Sequence, residues 1–335
     1  MTDSIHPTAS TATQSPSPWR FCVAPMLDWT DRHYRFLARQ LSGHARLYTE
    51  MVTTGALLHG DVERHLRFDD AEHPVALQLG GSDPQALAES ARIGADWGYD
   101  EINLNVGCPS DRVQNGAFGA CLMAQPTLVA ECIAAMRAAV DVPVTVKSRI
   151  GIDHQETFDE FREFVDIVAE QGGAEVFIVH SRKAWLKGLS PKQNRDVPPL
   201  RPEFATRLKR ERPDLTVVLN GGLTTVESMQ GALDEVDGVM VGRAAYQNVG
   251  LLADIDAALF DGEQSANRLT ALLAYRDYAA AQIARGTRLP TLIKPILTLF
   301  QGRPGARAYR RHLSEQSPRR ADDPSVIDEA IELLR

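Results

Sequence analysis

The sequence has few cysteines and no long hydrophobic run. Its four cysteines, Cys22, Cys108, Cys121 and Cys132, form no C-x-x-C pair. This argues against a zinc ribbon and a disulfide framework. We therefore predict that the protein has no metal site and is located in the reducing cytoplasm. No apolar stretch reaches the roughly 18 residues that a membrane-spanning helix needs, so no membrane partner is predicted. Residues 1–18 also lack the apolar core of a signal peptide.

Positive charge is in the minority. The 335-residue chain carries 36 Lys and Arg against 44 Asp and Glu, a formal net charge of −8. At first sight an acidic chain argues against a nucleic-acid partner. Apolar residues make up 44% of the chain, which is enough for a sizeable core, and the length corresponds to one or two domains. Only residues 1–18, rich in Ser, Thr and Pro, are predicted to be a disordered tail.

Short β-type runs alternate with amphipathic helical stretches such as 84–97, 127–139 and 157–171. This alternation predicts parallel strands joined by right-handed crossovers. Eight such units over about 240 residues favour an α/β fold of the (β/α)8 TIM-barrel type over a doubly wound sheet. The predicted strands are 21–24, 46–49, 75–79, 101–104, 144–146, 175–179, 216–219 and 238–241.

The β signals stop after about residue 261. Residues 267–285 and 325–334 have helical periodicity, and an apolar run at 292–300 follows Pro290. We therefore predict a small C-terminal all-α helical domain over residues 262–335. It follows a catalytic barrel domain over residues 19–261.

Glycines and one arginine follow the last two predicted strands. Gly221 and Gly222 come after strand seven, and Gly242 and Arg243 come after strand eight. Barrels commonly hold a phosphate at this position, on backbone N–H groups and a positive charge. The sequence therefore predicts a phosphate site there, although the glycines could serve only tight turns.

Other polar side chains at strand ends bear on the ligand. Lys147 is either a cation beside a flavin ring or a Schiff-base lysine of an aldolase-like barrel, and alone it decides nothing. Gln78 and His180 add polar groups to the same rim. Cys108 lies in a Gly-Cys-Pro turn, where a protonated thiol could donate a proton. A packing cysteine is the alternative.

Several segments resemble the tRNA-dihydrouridine synthases, and most closely their A subfamily. The most specific are YDEINLNVGCPSDRVQNGAFGACLM (99–123) and RKAWLKGLSPKQNRDVPPL (182–200). APMLDWTDRHYR (24–35), PVTVKSRIGID (143–153) and DGVMVGRAAYQN (237–248) add to the resemblance, which extends from about residue 19 to residue 315.

This resemblance implies an FMN-containing TIM barrel followed by a helical bundle that binds tRNA. It implies that Cys108 is the proton donor and that Asn105 holds the target uracil. The residues implied to hold FMN are Pro25, Met26, Leu27, Gln78, Lys147, His180, Asn220, Gly221, Gly222, Gly242 and Arg243.

The implied reaction reduces uridine to 5,6-dihydrouridine at positions 20 and 20a of the tRNA D-loop. Reduced FMN would deliver hydride to uracil C6, and Cys108 would protonate C5 as general acid. The base would first be extruded from its stack. No G-x-G-x-x-G fingerprint occurs, so NADPH or NADH is expected to bind only transiently as reductant.

Two segments are strongly basic, although the net charge of the whole chain is negative. Residues 181–212 hold ten Lys and Arg against three Asp and Glu, and residues 276–320 hold ten against two. Such segments are typical of a surface that binds a phosphate backbone. Tyr309, between arginines, could stack on a base, although a packed aromatic is the more ordinary interpretation. The candidate tRNA contacts are Arg112, Arg182, Lys192, Arg195, Arg303, Arg307 and Arg310.

Two alternatives stay open at this point. One is an FMN-dependent reductase of a free pyrimidine or another small enone, and the other is a non-catalytic tRNA-binding protein on a barrel. The sequence indicates no obligate protein partner. It does not choose between NADPH and NADH.

Overall fold

The computed structural model describes residues 17–110, 116–260 and 266–334. Each of the eight predicted strands is present, and several extend further at the carboxyl end than the sequence predicts. One short strand, Val52–Thr53, is not predicted. The strands are β1 (Phe21–Val23), β2 (Arg46–Tyr48), β3 (Val52–Thr53), β4 (Val75–Gly80), β5 (Glu101–Val106), β6 (Val144–Arg149), β7 (Val176–His180), β8 (Thr216–Asn220) and β9 (Gly238–Val241).

The strands form a closed parallel barrel. Their order is β2-β1-β9-β8-β7-β6-β5-β4, and β2 pairs with β4, with Leu47 opposite Val75, to close the ring. The extra strand β3 continues the position of β2, because Val52 pairs with Leu79 at the end of β4. The predicted (β/α)8 barrel is confirmed, and the doubly wound sheet is excluded because an open sheet would leave two unpaired edges.

The predicted helices are also present, with bounds that follow local capping. Helix α6 has Thr157 as N-cap in a capping box with Glu160, and its C-cap is Gly173, whose φ is +74°. The described helices are α1 (Arg32–Leu41), α2 (Thr54–His59), α3 (Val62–Leu66), α4 (Pro84–Asp96), α5 (Pro126–Ala139), α6 (Phe158–Gly172), α7 (Gln193–Asp196), α8 (Glu203–Glu211), α9 (Val226–Leu233), α10 (Arg243–Gln247), α11 (Leu251–Leu259), α12 (Arg268–Ala284), α13 (Leu289–Ile296), α14 (Ala306–Gln316) and α15 (Ser325–Glu332), with 3-10 turns at Asp70–Glu72 and Gly119–Ala124.

The inside of the barrel is divided between apolar and polar side chains. Cys22, Ala76, Ile178, Val218 and Met240 form one apolar cluster inside it. Alternate positions of β5 and β6 are instead polar and buried. They are Glu101, Asn103, Asn105 and Thr145.

Helices α12–α15 follow the barrel, and α12 and α13 pack on α1. His33 on α1 lies 2.8 Å, Nδ1 to Oη, from Tyr278 on α12, and Phe36 stacks on the same ring. The predicted C-terminal helices are therefore present. The domain boundary near residue 261 and residues 1–16 of the tail lie outside the described residues. Within the described ranges, no helix has the length and apolarity that a membrane span requires.

Candidate active site

A cavity of about 920 Å³ opens at the carboxyl ends of the barrel strands. The structure brings all of the expected FMN-binding residues to its wall, although they come from segments far apart in the sequence. Cys108 and Asn105 lie on the same wall. The expected cofactor residues that line it are Pro25, Met26, Leu27, Gln78, Lys147, His180, Asn220, Gly221, Gly222, Gly242 and Arg243.

Lys147 on β6 is partly buried at the cavity wall. Its Nζ donates a hydrogen bond to Oδ1 of Asn220 at 3.0 Å. Asn220 is fixed in turn, because its Nδ2 donates to the carbonyl of Met240 at 2.8 Å. Burial lowers the pKa of Lys147 to about 7, with the positive charge of Arg149 adding to the effect and Cys108 opposing it. An anionic group brought beside this ammonium would stabilise its charged form.

His180 ends β7 beside Lys147 on the cavity wall. Burial lowers the pKa of His180 well below its ordinary value, and the charges of Arg149 and Lys147 add to this effect. The imidazole is therefore neutral at pH 7, where it offers one N–H donor and one acceptor nitrogen. It can hydrogen-bond a polar ring edge without adding charge.

The glycines after β8 and β9 shape the adjoining wall. Gly221 has a φ of +107° and Gly222 a φ of +77°, which are conformations that favour glycine. A Cβ at Gly221 would also lie 2.9 Å from Cδ2 of His180. At Gly242 a Cβ would meet only ordinary contacts of 3.6 Å. The protein alone therefore leaves space at Gly242 for a bound group.

Arg243 is the first residue of α10 and adds positive charge beside these glycines. Its guanidinium pairs with the carboxylate of Asp196 at 2.7 Å, and both side chains are almost half exposed. Exposed pairs of this kind contribute little free energy. Arg243 can therefore exchange Asp196 for a phosphate at small cost.

Cys108 lies in the turn after β5, and Asn105 holds this turn. Oδ1 of Asn105 accepts the backbone N–H groups of Gly107 at 3.0 Å and of Cys108 at 2.5 Å. The thiol of Cys108 donates to Oγ of Ser110 at 3.4 Å. Cys108 is partly exposed and lines the cavity. The Cys108 side chain can therefore be reached by a group bound in the cavity.

These groups fit a flavin that carries a phosphate. A flavin ring needs hydrogen-bond partners at its polar edge and a cation near the side that becomes anionic on reduction. Lys147, His180 and Gln78 supply both kinds of group. Gly242 and Arg243 supply space and charge for a phosphate at the cavity wall.

The candidate tRNA contacts separate into two groups. Arg182 and Arg195 line the cavity, whereas Lys192, Arg303, Arg307 and Arg310 do not. Arg303 instead lines a second, more open hollow with residues of α12. Arg112 lies outside the described residues.

The two basic segments also differ in how their charges are compensated. In the first, cations of α8 and its end are paired, with Lys209 at 2.9 Å from Asp237 and Arg212 in contact with Asp166. Part of the positive charge of residues 181–212 is therefore neutralised by carboxylates from other elements. In the second segment, eight cations have no carboxylate within 4.0 Å among the described residues. They are Arg285, Arg288, Lys294, Arg303, Arg307, Arg310, Arg311 and Arg319.

Tyr309 is fully buried in this second segment. Its hydroxyl donates to the carbonyl of Ile296 at 3.2 Å, and its ring meets Phe300 edge to face. The packed interpretation is confirmed, and stacking of Tyr309 on a base is excluded.

Sequence reasoning missed several cavity residues. Arg32, Arg64, His65 and Arg67, on and beside α1 and α3, line the cavity too. Acidic residues near them in the sequence offset their charge, so a count of net charge by segment does not reveal them. Arg149 ends β6 and also lines the cavity, and its Nε donates to the carbonyl of Gly107 at 3.0 Å. It thereby supports the turn that carries Cys108.

Fold and cavity together define a barrel enzyme whose site opens at the carboxyl ends of its strands. The family model for dihydrouridine synthase (Dus) matches residues 22–332. The chain belongs to this family, which reduces uridine to dihydrouridine in tRNA, and the expected class of oxidoreductase is confirmed.

Named relatives cover nearly the whole chain. A tRNA-dihydrouridine(20/20a) synthase of Yersinia pestis is 54% identical over 316 residues, which is 94% of this chain and 91% of the relative. Proteins with the same name from Shewanella oneidensis and Escherichia coli K12 are 53% and 52% identical over 94% of this chain, covering 94% and 91% of their own lengths. These names favour a tRNA substrate over a free pyrimidine.

Proposed function

We propose that this protein reduces uridines 20 and 20a in the tRNA D-loop to 5,6-dihydrouridine, with FMN as cofactor and NADPH or NADH as reductant. The position numbers come from the names of relatives that are 51–54% identical over almost the whole chain. The observation that carries the proposal is the cavity itself, because it brings the Cys108 turn beside Lys147, His180 and the glycines.

In this proposal the cofactor is held by the residues that line the cavity. When bound, reduced FMN supplies the hydride that saturates uracil C6, and NADPH or NADH restores its electrons. The Lys147 ammonium stabilises negative charge at the ring edge. His180 and Gln78 donate or accept hydrogen bonds there. Arg243 and the N–H groups after β8 and β9 hold the phosphate.

Cys108 acts as the general acid. Reduction at C6 places negative charge on C5 and O4 of uracil, and the thiol supplies the proton that C5 takes up. The turn that holds Cys108 sets the position of this thiol, through Asn105 on one side and Arg149 on the other. Asn105 also offers its amide to the uracil edge. Positioning of the reacting atoms is the main contribution of the protein.

We further propose that residues 262–335 form the tRNA-binding domain and residues 19–261 the catalytic domain. The support is the group of eight cations in 276–320 that have no carboxylate partner among the described residues. Arg182 and Arg195 would extend this contact to the cavity mouth, with Lys192 between them in sequence, and Arg112 follows Cys108 in sequence. A tRNA substrate also supports a cytoplasmic location.

The test is a reduction assay with the purified holoenzyme and an unmodified tRNA transcript. Dihydrouridine is mapped by mass spectrometry after incubation with NADPH or with NADH, and free uridine serves as the competing substrate. The proposal expects dihydrouridine at positions 20 and 20a and little reduction of free uridine. Modification elsewhere in the tRNA, or equal reduction of free uridine, would overturn it.

The variant Cys108→Ala tests the general acid separately. It should keep the visible flavin spectrum and the rate at which NADPH bleaches it, since the thiol takes no part in that step. Dihydrouridine formation should fall by about 10²-fold or more. Unchanged product formation would refute the assignment of Cys108.

A further inference from the structure

Strand β5 turns an unusual set of side chains into the barrel. Its inward positions are Glu101, Asn103 and Asn105, while Ile102 and Leu104 face the surrounding helices. The interiors of such barrels are mostly filled by branched apolar residues. A buried polar line of this length must be satisfied by hydrogen bonds, since an unpaired buried polar group costs about 1–3 kcal/mol.

These side chains form one continuous chain of hydrogen bonds with two neighbouring strands. Oγ1 of Thr145 donates to Oε1 of Glu101 at 2.5 Å, and Nδ2 of Asn103 donates to Oγ1 of Thr145 at 2.7 Å. Nε2 of Gln78 donates to Oδ1 of Asn103 at 2.8 Å. Nδ2 of Asn105 then donates to Oε1 of Gln78, also at 2.8 Å.

Every donor in this chain points towards Glu101. The Glu101 carboxylate pairs with Arg46 and accepts from the hydroxyl of Thr145, and this hydroxyl in turn accepts from Asn103. Because Thr145 accepts from Asn103, the NH₂ group of the Asn103 amide faces Thr145 and its oxygen faces Gln78. The Gln78 and Asn105 amides are then oriented in the same sense. The direction of the whole chain is therefore set at its Glu101 end.

The other end of the chain is the turn that carries Cys108. With Nδ2 of Asn105 committed to Gln78, Oδ1 is left to accept the backbone N–H groups of Gly107 and Cys108. In the opposite orientation the Asn105 NH₂ group would face two N–H donors, and the turn would lose both hydrogen bonds. The orientation of the amide is thus required for the turn.

We propose that Glu101 is a positioning residue for the reaction. Its carboxylate, at the amino end of β5, orients Gln78 and Asn105 through the hydrogen-bond chain and thereby holds the Cys108 turn and the flavin-facing amide in place. This rests on the proposed function, in which Cys108 is the proton donor and Gln78 contacts the flavin. Glu101 itself is fully buried and does not line the cavity.

The surroundings of Glu101 provide a matched control. The Tyr48 hydroxyl donates to the same Oε1 at 2.8 Å, but Tyr48 is not part of the chain that leads to Asn105. Trp19 Nε1 donates to Oε2 at 2.8 Å, and Arg46 lies 3.2 Å from the same oxygen. Tyr48→Phe therefore removes one hydrogen bond from Glu101 and leaves the chain intact.

The decisive variant is Thr145→Val, which keeps the shape of the side chain and breaks the link between Glu101 and Asn103. With the holoenzyme we expect kcat for tRNA reduction to fall at least tenfold with little change in KM, because the arginines proposed to bind the tRNA backbone are not part of the hydrogen-bond chain. The FMN dissociation constant should rise at least threefold. Amide hydrogen exchange in the peptide 105–110 should become at least tenfold faster.

Three further proteins make the outcome unambiguous. Thr145→Ser keeps the hydroxyl and should restore all three readouts, and Tyr48→Phe should lower the unfolding temperature while leaving them near wild type. Glu101→Gln, which can donate to Thr145, should behave like Thr145→Val, and Thr145→Val alone decides the matter if this variant does not fold.

The proposal is overturned if Thr145→Val lowers only the unfolding temperature, or if Tyr48→Phe changes the three readouts equally. Failure of the proposed function would look different. In that case the wild-type enzyme would form no dihydrouridine, whereas hydrogen exchange at 105–110 would still report on the hydrogen-bond chain.

Discussion

The lowered pKa of Lys147 predicts how stability should depend on pH. Burial brings this pKa to about 7 in the folded protein, whereas an unfolded lysine has a pKa of about 10.4. Between these values the unfolded chain binds more protons than the folded one. The stability of the flavin-free protein should therefore rise with pH in this range, as far as Lys147 contributes.

The magnitude follows from the two pKa values. The lower pKa of Lys147 in the folded state than in the unfolded state disfavours folding by about 4 kcal/mol at pH 7 and by about 2 kcal/mol at pH 9. Lys147→Met removes this titration and keeps a side chain of similar length. It also removes the hydrogen bond to Asn220, and because that loss applies at both pH values it cancels in the comparison.

The assay is urea unfolding of the flavin-free variant and wild type at pH 7 and at pH 9. The stability difference in favour of Lys147→Met should be about 2 kcal/mol larger at pH 7. Lys187→Met, at an exposed position in the loop after β7, controls for the loss of a lysine and should show no such pH dependence. An equal difference at both pH values for Lys147→Met would refute the reasoning.

Three other substitutions, one of them with a matched control, test separate parts of the structure. Gly221→Ala places a Cβ 2.9 Å from His180 at a φ of +107°, so FMN affinity should fall at least tenfold and stability by about 1–3 kcal/mol, measured by flavin titration and urea unfolding. Arg307→Ala should weaken tRNA binding and reduce the salt slope of log K by about 0.7–0.9. Arg320→Ala, which breaks pairs with two carboxylates, should leave that slope nearly unchanged in the same filter-binding assay. Tyr309→Phe should cost about 1 kcal/mol of stability and leave tRNA affinity unaltered.

Other results would contradict these expectations. Tight FMN binding by Gly221→Ala would remove the argument for close packing at that turn. A salt slope that is the same for Arg307→Ala and wild type would place the RNA backbone elsewhere. Loss of tRNA affinity in Tyr309→Phe would mean that the ring is reachable by RNA, contrary to its burial.

The barrel itself could be predicted from the sequence. Its strands are recognisable in the sequence as short β-type runs between helical stretches. The caps of helices such as α6 are local sequence features as well, with Thr157 and Glu160 at the N-terminal end and Gly173 at the C-terminal end. Residues at strand ends converge in any closed parallel barrel. Their meeting on one cavity wall is therefore a consequence of strand order alone.

Charge compensation could not be predicted in the same way. A count along residues 181–212 gives a strongly basic segment, yet Arg212 contacts Asp166 and Lys209 contacts Asp237 from other elements. Likewise Arg32 and Arg67 line the cavity, although acidic residues near them in the sequence offset their charge. Pairing between charges depends on distances across the fold, and a sum along the chain contains no distances.

By itself, the sequence determined the architecture and the chemical groups of the site, because periodicity and residue type are local properties of the chain. Only the tertiary structure decided how those groups behave. Burial among other cations lowers the pKa of Lys147 and keeps His180 neutral. The direction of hydrogen bonds from Asn105 back to Glu101 follows from which side chains three neighbouring strands turn inward. Solvent exposure and hydrogen-bond direction are properties of the surroundings, and the surroundings exist only in the folded chain.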